Sequence, residues 1–195
     1  MPLLLGSQSP RRKEILSFFS IDFQQVASHF PEESIPFLGD PVAYTEELSR
    51  KKGETLLSAY KDHTIITADT VVYLNGKIYN KPASEEEAFS FINELAGQWH
   101  QVYTAVTVCK ESGRFSGVEQ TNILFHPVTA AQIRKYLAHF AYTDKAGGYA
   151  VQQGGNIIVS KMEGCYYNVM GLPINTLQRL LLHVGIDLWD HLKIF

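Results

Sequence analysis

The sequence contains few cysteines and no surplus of basic residues. Its 195 residues include two cysteines, Cys109 and Cys165, too few for a disulfide-stabilised fold and without the spacing of a metal finger. The formal net charge is -3 and the sequence pI about 6.2, so the basic surplus that is typical of non-specific nucleic-acid binders is missing. We expect no nucleic acid polymer as a partner.

Long apolar runs are also missing. The apolar start, residues 1–6, is short, has no basic stretch before it and is followed by no cleavage signature, so it predicts a buried strand rather than a signal peptide. No run approaches the ~20 residues of a membrane-spanning helix. The sequence therefore predicts a cytoplasmic protein without membrane attachment.

The residues that are present describe an ordinary globular protein. Hydrophobic residues make up 45% and charged residues 19% of the chain, which suffices for a substantial core. The length fits a single domain, 1–195, or one domain with two lobes.

The alternation of apolar and polar residues predicts an α/β fold with a mixed sheet. Residues 29–41 are polar and contain three prolines, which predicts a loop. Capping and turn residues mark the element ends. The predicted strands are 3–5, 21–27, 64–73, 77–79, 100–109, 118–126 and 156–162, and the predicted helices are 10–19, 42–59, 84–95, 129–139 and 173–183.

The loop between the first strand and the first helix has the chemistry of an anion site. Small residues lead into a helix that begins at Pro10, and the unpaired N–H groups of such a helix start bind phosphate oxygens. Ser7 adds a hydroxyl, and Arg11 and Arg12 add forked cationic donors. Positive charge at this end opposes the helix dipole unless an anion lies nearby. The alternative is a solvated first turn. The loop lacks the P-loop pattern.

Asp69 interrupts an apolar, β-branched run. Burying a lone carboxylate is costly, so such an acid usually holds a metal, meets a base or caps a turn. At the C-terminal end of a sheet strand it would be suited to bind Mg²⁺ or to orient an attacking water. The alternative is a strand end that reaches solvent at Asp69.

The remaining charged residues indicate a functional site only when they are considered as a set. Lys81 follows the predicted hairpin, Lys52 lies on the helix after the proline-rich loop, and Glu32 and Glu33 lie within that loop. Each alone is more typical of a solvated surface.

Taken in order, these pieces resemble the Maf family of nucleotide pyrophosphatases. The resemblance implies an α/β fold similar to inosine triphosphate pyrophosphatases, with a mixed twisted sheet flanked by helices and two lobes around a central cleft. It also implies a divalent metal (Mg, Mn or Co), hydrolysis between the α- and β-phosphates of a nucleoside triphosphate, and a homodimer. The segments that carry it are 7–12, 32–33, 48–52, 68–72, 81–82, 144–152 and 164–173.

The resemblance also implies roles for single residues. Glu33 and Asp69 would bind the metal, and Asp69 would activate water. Counting forward from the arginine pair favours Glu32 instead of Glu33, and counting back from Lys52 favours Glu33. We prefer Glu33, because family members often place another acid just before it. The residues expected to hold the triphosphate are Ser7, Arg11, Arg12, Lys52 and Lys81.

Arg11, Thr70 and Gln152 match the family members that act on dTTP and UTP. An amide offers a donor and an acceptor to a uracil-type edge, whereas the cationic base of 7-methyl-GTP would favour an aromatic residue and an acid. A 7-methyl-GTP pyrophosphatase and a nucleotide-binding regulator of cell division remain alternatives. The sequence departs from the family pattern at Gly53, at Gly148 and in the shortened segment 152–155.

Overall fold

A computed structural model describes residues 2–152 and 154–193 and places them in one mixed α/β sheet with helices on both faces. The sheet order is β2-β1-β3-β5-β6-β7, and the short β4 pairs with β3. The strands are β1 (Leu3–Leu5), β2 (Phe23–Gln25), β3 (Thr64–Leu74), β4 (Lys77–Tyr79), β5 (Trp99–Lys110), β6 (Gly113–Phe125) and β7 (Val159–Glu163). The helices are α1 (Pro10–Leu16), α2 (Pro41–Ala59), α3 (Glu85–Leu95), α4 (Ala130–His139), α5 (Tyr166–Val169) and α6 (Ile174–Leu182).

Parallel and antiparallel pairing divide the sheet. β1 runs parallel to β2 and β3, while β3, β5, β6 and β7 pair antiparallel. Helix α2 covers one face through a small cluster around Leu56 and Leu57. The larger core lies on the other face and includes side chains of α1, α3, α4 and α6.

A notch interrupts one edge of β3. Residues 64–66 of β3 pair with β1 and residues 72–74 pair with β4, so 67–71 have no strand partner on that edge within the described chain. The opposite edge pairs with β5 from residue 65 to residue 73. Successive side chains of a strand point to opposite faces. Side chains from both faces of β3, such as those of Asp69 and Thr70, therefore border the same opening at the notch.

The structure confirms the predicted fold class and corrects several boundaries. α1 ends at Leu16 rather than at residue 19, since Ser17 caps it. β6 begins at residue 113 rather than 118, because pairing with β5 extends a segment that shows little apolar alternation. The predicted strand 156–162 is a 3₁₀ turn, Gly155–Ile158, followed by β7. The short α5 and the 3₁₀ turn Leu188–His191 were not predicted.

Two further expectations can be compared with the structure. Asp69 does not end a strand, because pairing with β5 and β4 continues β3 to Leu74. Within residues 2–152 and 154–193, no helix is both long enough and apolar enough to cross a membrane.

Candidate functional site

A cavity of about 810 Å³ opens at the notch in β3. It collects side chains from the loop after β1, the start of α1, the 3₁₀ turn Glu32–Ser34, α2, β3 and the glycine-rich segment before β7. Every predicted site residue lines it: Ser7, Arg11, Arg12, Glu33, Lys52, Asp69, Thr70, Lys81 and Gln152, together with the alternative acid Glu32.

A buried ion pair lies on the α2 side of the notch. Lys52 Nζ is 2.5 Å from Asp69 Oδ1 and 2.8 Å from Glu32 Oε1. The Lys52 and Asp69 side chains are each 9% exposed, whereas Glu32 is 50% exposed. Removing one member of such a buried pair leaves an uncompensated charge. The two acids therefore share one cation, and the outer acid remains accessible to solvent.

The position of Lys52 depends on close packing between α2 and the sheet. Leu48, Lys52 and Leu56 are spaced by four residues, so they share one helix face, and all three are buried. At the next residue, Gly53, a Cβ would lie 2.5 Å from Cys109 Sγ on β5. Glycine thus lets α2 approach β5 closely, which explains this departure from the family pattern.

Arg12 joins four segments around the other side of the notch. Its Nε donates to Gly171 O at 2.7 Å. Its Nη1 donates to Ser7 Oγ at 3.1 Å and to Ala68 O at 2.9 Å. Its Nη2 donates to Thr70 Oγ1 at 3.0 Å. A guanidinium has five N–H groups, so these bonds leave one for a substrate.

Burial and neighbouring charge shift the pKa of Arg12 in opposite directions. Burial is the strongest influence and lowers the pKa of Arg12, while the negative charge of Asp69 raises it. Arginine nonetheless stays protonated in proteins. Arg12 is therefore permanently charged, and most of its N–H groups donate hydrogen bonds to other protein atoms.

Arg11 has a different anchor. Its Nη1 is 2.6 Å from Asp144 Oδ2, and its Nη2 donates to Asp144 O at 2.9 Å. Lys145 Nζ contacts the other oxygen of Asp144 at 2.5 Å. Burial alone would raise the pKa of Asp144, but Lys145 and Arg11 outweigh it and hold the pKa below its usual value. One carboxylate thus positions two cations at the cavity rim.

The loop after β1 is held in place by side chains rather than left open. Ser7 Oγ accepts a hydrogen bond from Ser9 N at 3.2 Å, and Ser9 Oγ accepts one from Arg12 N at 3.4 Å. Gln25 Nε2 donates to Ser7 O at 2.7 Å. The sequence pattern gave no indication of this contact, because β2 pairs with β1 only in the folded sheet.

Two of the residues expected near the base, Thr70 and Gln152, are both half-buried. Thr70 Oγ1 lies 2.9 Å from Thr104 Oγ1. The buried Oε1 of Gln152 has no hydrogen-bond partner in the described part of the chain.

Glu33 is exposed at the cavity wall. Among the described contacts, Lys52 pairs with Glu32 and not with Glu33.

Sequence reasoning missed several lining residues, among them Tyr44 and Asn80. Burial is the strongest influence on the Tyr44 hydroxyl and raises its pKa, against a hydrogen bond with Asn80. Tyr44 precedes Lys52 by eight residues, so both lie on one face of α2. This spacing in the sequence could have indicated that Tyr44 lies on the same side of the helix as Lys52.

A divalent metal would find oxygen donors at the ion pair. The described residues contain no group of three or more His, Cys, Asp or Glu side chains suited to a metal. The carboxylates of Asp69 and Glu32 nevertheless converge on one cation, the Lys52 ammonium. Mg²⁺ commonly takes one or two carboxylates and completes its coordination with water and phosphate oxygens. This donor set fits such an ion.

The chain is similar to known proteins over nearly its whole length. The chain is 44% identical to a "dTTP/UTP pyrophosphatase" of Chlamydia felis over 97% of each chain. It is 43% identical to a protein of the same name from Lacticaseibacillus casei, over 92% of this chain and 97% of that one. The solved Staphylococcus aureus Ham1 structure superimposes with a TM-score of 0.55 at 15% identity, covering 94% of this chain and all of that one, a likeness of fold alone. The family model described as Maf-like protein matches residues 2–184, and the chain therefore belongs to the Maf family.

Proposed function

We propose that this protein hydrolyses dTTP and UTP to the nucleoside monophosphate and pyrophosphate. The observation that carries the proposal is a single cavity that is lined by a carboxylate pair and by several arginine and lysine side chains. Relatives that are 43–44% identical carry the name dTTP/UTP pyrophosphatase. These names support pyrimidine triphosphates rather than 7-methyl-GTP as the substrates of this protein.

The cations would hold the polyphosphate. A nucleoside triphosphate carries about four negative charges, and its reaction adds charge to the leaving pyrophosphate, so preorganised cations supply most of the stabilisation. Arg11, Lys81 and Lys145 line the cavity wall, and Lys52 lies deeper beside Asp69. Arg12 would contribute charge and at most one hydrogen bond.

Asp69 would act as the general base. A water oxygen attacks the α-phosphorus, the bond from that phosphorus to the bridging oxygen breaks, and pyrophosphate leaves with the bonding electron pair. The water proton passes to the Asp69 carboxylate, which lies at hydrogen-bond distance from Lys52. No oxidant, reductant or second substrate is needed.

A divalent cation would be held by Asp69 together with Glu32 or Glu33. When bound, it neutralises phosphate charge and polarises the bond that breaks. Glu32 is now the preferred acid, because it already shares Lys52 with Asp69. We further propose that the protein works in the cytoplasm as a homodimer.

The position of bond cleavage tests the proposal. Purified protein with Mg²⁺, Mn²⁺ or Co²⁺ is incubated with dTTP or UTP in ¹⁸O-labelled water, and the products are analysed by mass spectrometry. We expect monophosphate and pyrophosphate, with the label in the monophosphate. Chelation should stop turnover, and added metal should restore it. Nucleoside diphosphate as a product, or label in pyrophosphate, would contradict the proposal.

The substrate class needs a separate measurement. A panel of dTTP, UTP and 7-methyl-GTP at equal metal concentration compares kcat/KM directly. We expect the two pyrimidine substrates to be preferred. A preference for 7-methyl-GTP would assign the protein to the alternative group, and tight binding of all three without turnover would favour a regulatory role.

A further inference from the structure

A chain of hydrogen bonds runs behind the cavity wall, from Arg12 to α5. Arg12 Nη2 donates to Thr70 Oγ1 at 3.0 Å, Thr70 Oγ1 lies 2.9 Å from Thr104 Oγ1, and Thr104 Oγ1 donates to Asn168 O at 2.8 Å. Thr104 and Asn168 are fully buried, and neither lines the cavity. A substrate therefore reaches Thr70 but not Thr104.

The chemistry of the end groups fixes the direction of this chain. A guanidinium only donates and a carbonyl oxygen only accepts, while a hydroxyl has a single proton. Thr104 spends its proton on Asn168 O, so it must accept from Thr70. Thr70 in turn accepts from Arg12. The Thr70 proton is thus already used, and Thr70 has only a lone pair left for the cavity.

The far end of the chain is held firmly. Asn168 Nδ2 donates to Val102 O at 3.0 Å and to Thr121 Oγ1 at 2.9 Å, which ties α5 to β5 and β6. The Asn168 carbonyl therefore stays in place as the final acceptor. Asn168 O also accepts from Gly171 N at 2.9 Å. Reversing the chain would therefore lose one hydrogen bond, the one from Thr104 to Asn168 O, at a cost of about 0.5–1.5 kcal/mol.

We infer that Thr104 is a positioning residue that makes Thr70 an acceptor-only contact for the base, an inference that rests on the proposed function. The pairing edge of uracil or thymine has one donor, N3–H, between the acceptors O2 and O4. An acceptor-only Thr70 can pair with that edge only through N3–H. A cytosine bound in the same position carries a lone pair at N3, which would face the Thr70 lone pair, and its pairing-edge donor is the N4 amino group, at the position of uracil O4. Thr104 thereby contributes to selection of uracil-type bases without touching them.

The ratio of kcat/KM for UTP to kcat/KM for CTP tests this inference. Thr104→Val removes the acceptor for the Thr70 proton, and Thr70 can then donate to cytosine N3. We expect the ratio to fall about tenfold, the equivalent of one hydrogen bond, chiefly because CTP improves. Thr104→Ser keeps the hydroxyl and should keep the ratio. An unchanged ratio in folded Thr104→Val would overturn the inference.

Thr107→Val is the matched control. Thr107 is another fully buried threonine of β5, and its Oγ1 lies 2.9 Å from Ser116 Oγ. This variant loses a comparable buried hydrogen bond and should leave the UTP to CTP ratio unchanged. A ratio that falls equally in both variants would show a general loss of structure. Thermal unfolding of all variants establishes that they fold.

The unaltered protein supplies a second test that needs no variant. N3-methyl-UTP lacks the N3–H donor, so we expect its kcat/KM to lie at least tenfold below that of UTP. Equal turnover of the two would overturn the inference. Failure of the proposed function looks different, because neither UTP nor dTTP would then be hydrolysed.

Discussion

The two sides of the notch in β3 differ in how many of their polar groups are saturated by hydrogen bonds within the protein. On the α2 side, Asp69 and Glu32 share the Lys52 ammonium, and Glu32 is half exposed. On the other side, Arg12 and Thr70 spend nearly all of their hydrogen bonds within the protein. Asp69 and Thr70 are adjacent in sequence and lie on opposite faces of one strand.

This difference indicates that the two sides of the cavity have different roles. A lysine that shares a carboxylate can exchange it for a phosphate, and a carboxylate can exchange its lysine for a metal ion, because each exchange replaces one ionic contact by another. Saturated hydrogen bonds resist exchange, since a lost partner leaves a buried donor or acceptor unsatisfied. We therefore expect chemistry on the α2 side and positioning on the Arg12 side.

The largest effect should follow from Asp69→Asn. The amide keeps the shape but cannot take a proton, and loss of a general base costs about 10²–10⁴-fold in rate. We expect kcat to fall about a thousandfold with a small change in KM. Asp62→Asn, at an exposed position before β3, is the control and should stay active. Robust turnover of Asp69→Asn would remove Asp69 from its proposed role.

Arg12→Lys should damage stability as well as turnover. A lysine ammonium cannot reproduce the fork that contacts Gly171, Ser7 and Ala68. We expect the free energy of unfolding in urea to fall by about 2 kcal/mol and kcat/KM to fall about a hundredfold. Arg114→Lys, at an exposed position on β6, should leave both unchanged. Lost activity at full stability would instead make Arg12 chiefly a phosphate ligand.

Glu32→Gln and Glu33→Gln separate the two candidate acids. Glu32 contacts Lys52, which also contacts Asp69, so we expect Glu32→Gln to lower kcat about tenfold and to raise the metal concentration needed for half-maximal rate. Glu33→Gln should change either quantity by less than about threefold, the range of exposed contacts. Titration of each variant with Mg²⁺ measures both quantities. The reverse order would restore Glu33 as the metal-site acid.

Among the variants expected to impair the enzyme, Asp144→Asn should have the smallest effect. The pair with Arg11 is partly exposed, and such pairs contribute little. We expect KM to rise about threefold with kcat unchanged, because Arg11 and Lys145 lose their shared anchor. Since the folded pKa of Asp144 is lowered, the anchor is intact above its ordinary value, about pH 4, and is lost only as the pH falls through the lowered pKa. A change in kcat instead would place Asp144 in the chemistry.

Much of this site could be predicted without coordinates. Small residues before Pro10, an acid within an apolar strand and a lysine on a helix each carry chemistry that requires a partner, and all of them line one cavity. The choice between Glu32 and Glu33 could not be made from sequence, because two adjacent acids in an irregular loop have no periodicity to separate them. Thr104 also escaped notice, since a buried threonine in an alternating strand resembles ordinary β-structure.

The amino-acid sequence alone was sufficient to predict the α/β class, most element positions and the set of charged and polar groups that line the cavity. Local patterning, turn residues and side-chain chemistry carry that information. Three features became visible only in the folded chain. Within the described residues, the edge of β3 between β1 and β4 is unpaired, Lys52 joins Asp69 to Glu32, and Arg12 donates most of its hydrogen bonds to other protein atoms. These features depend on contacts between segments far apart in the chain, which no local pattern encodes.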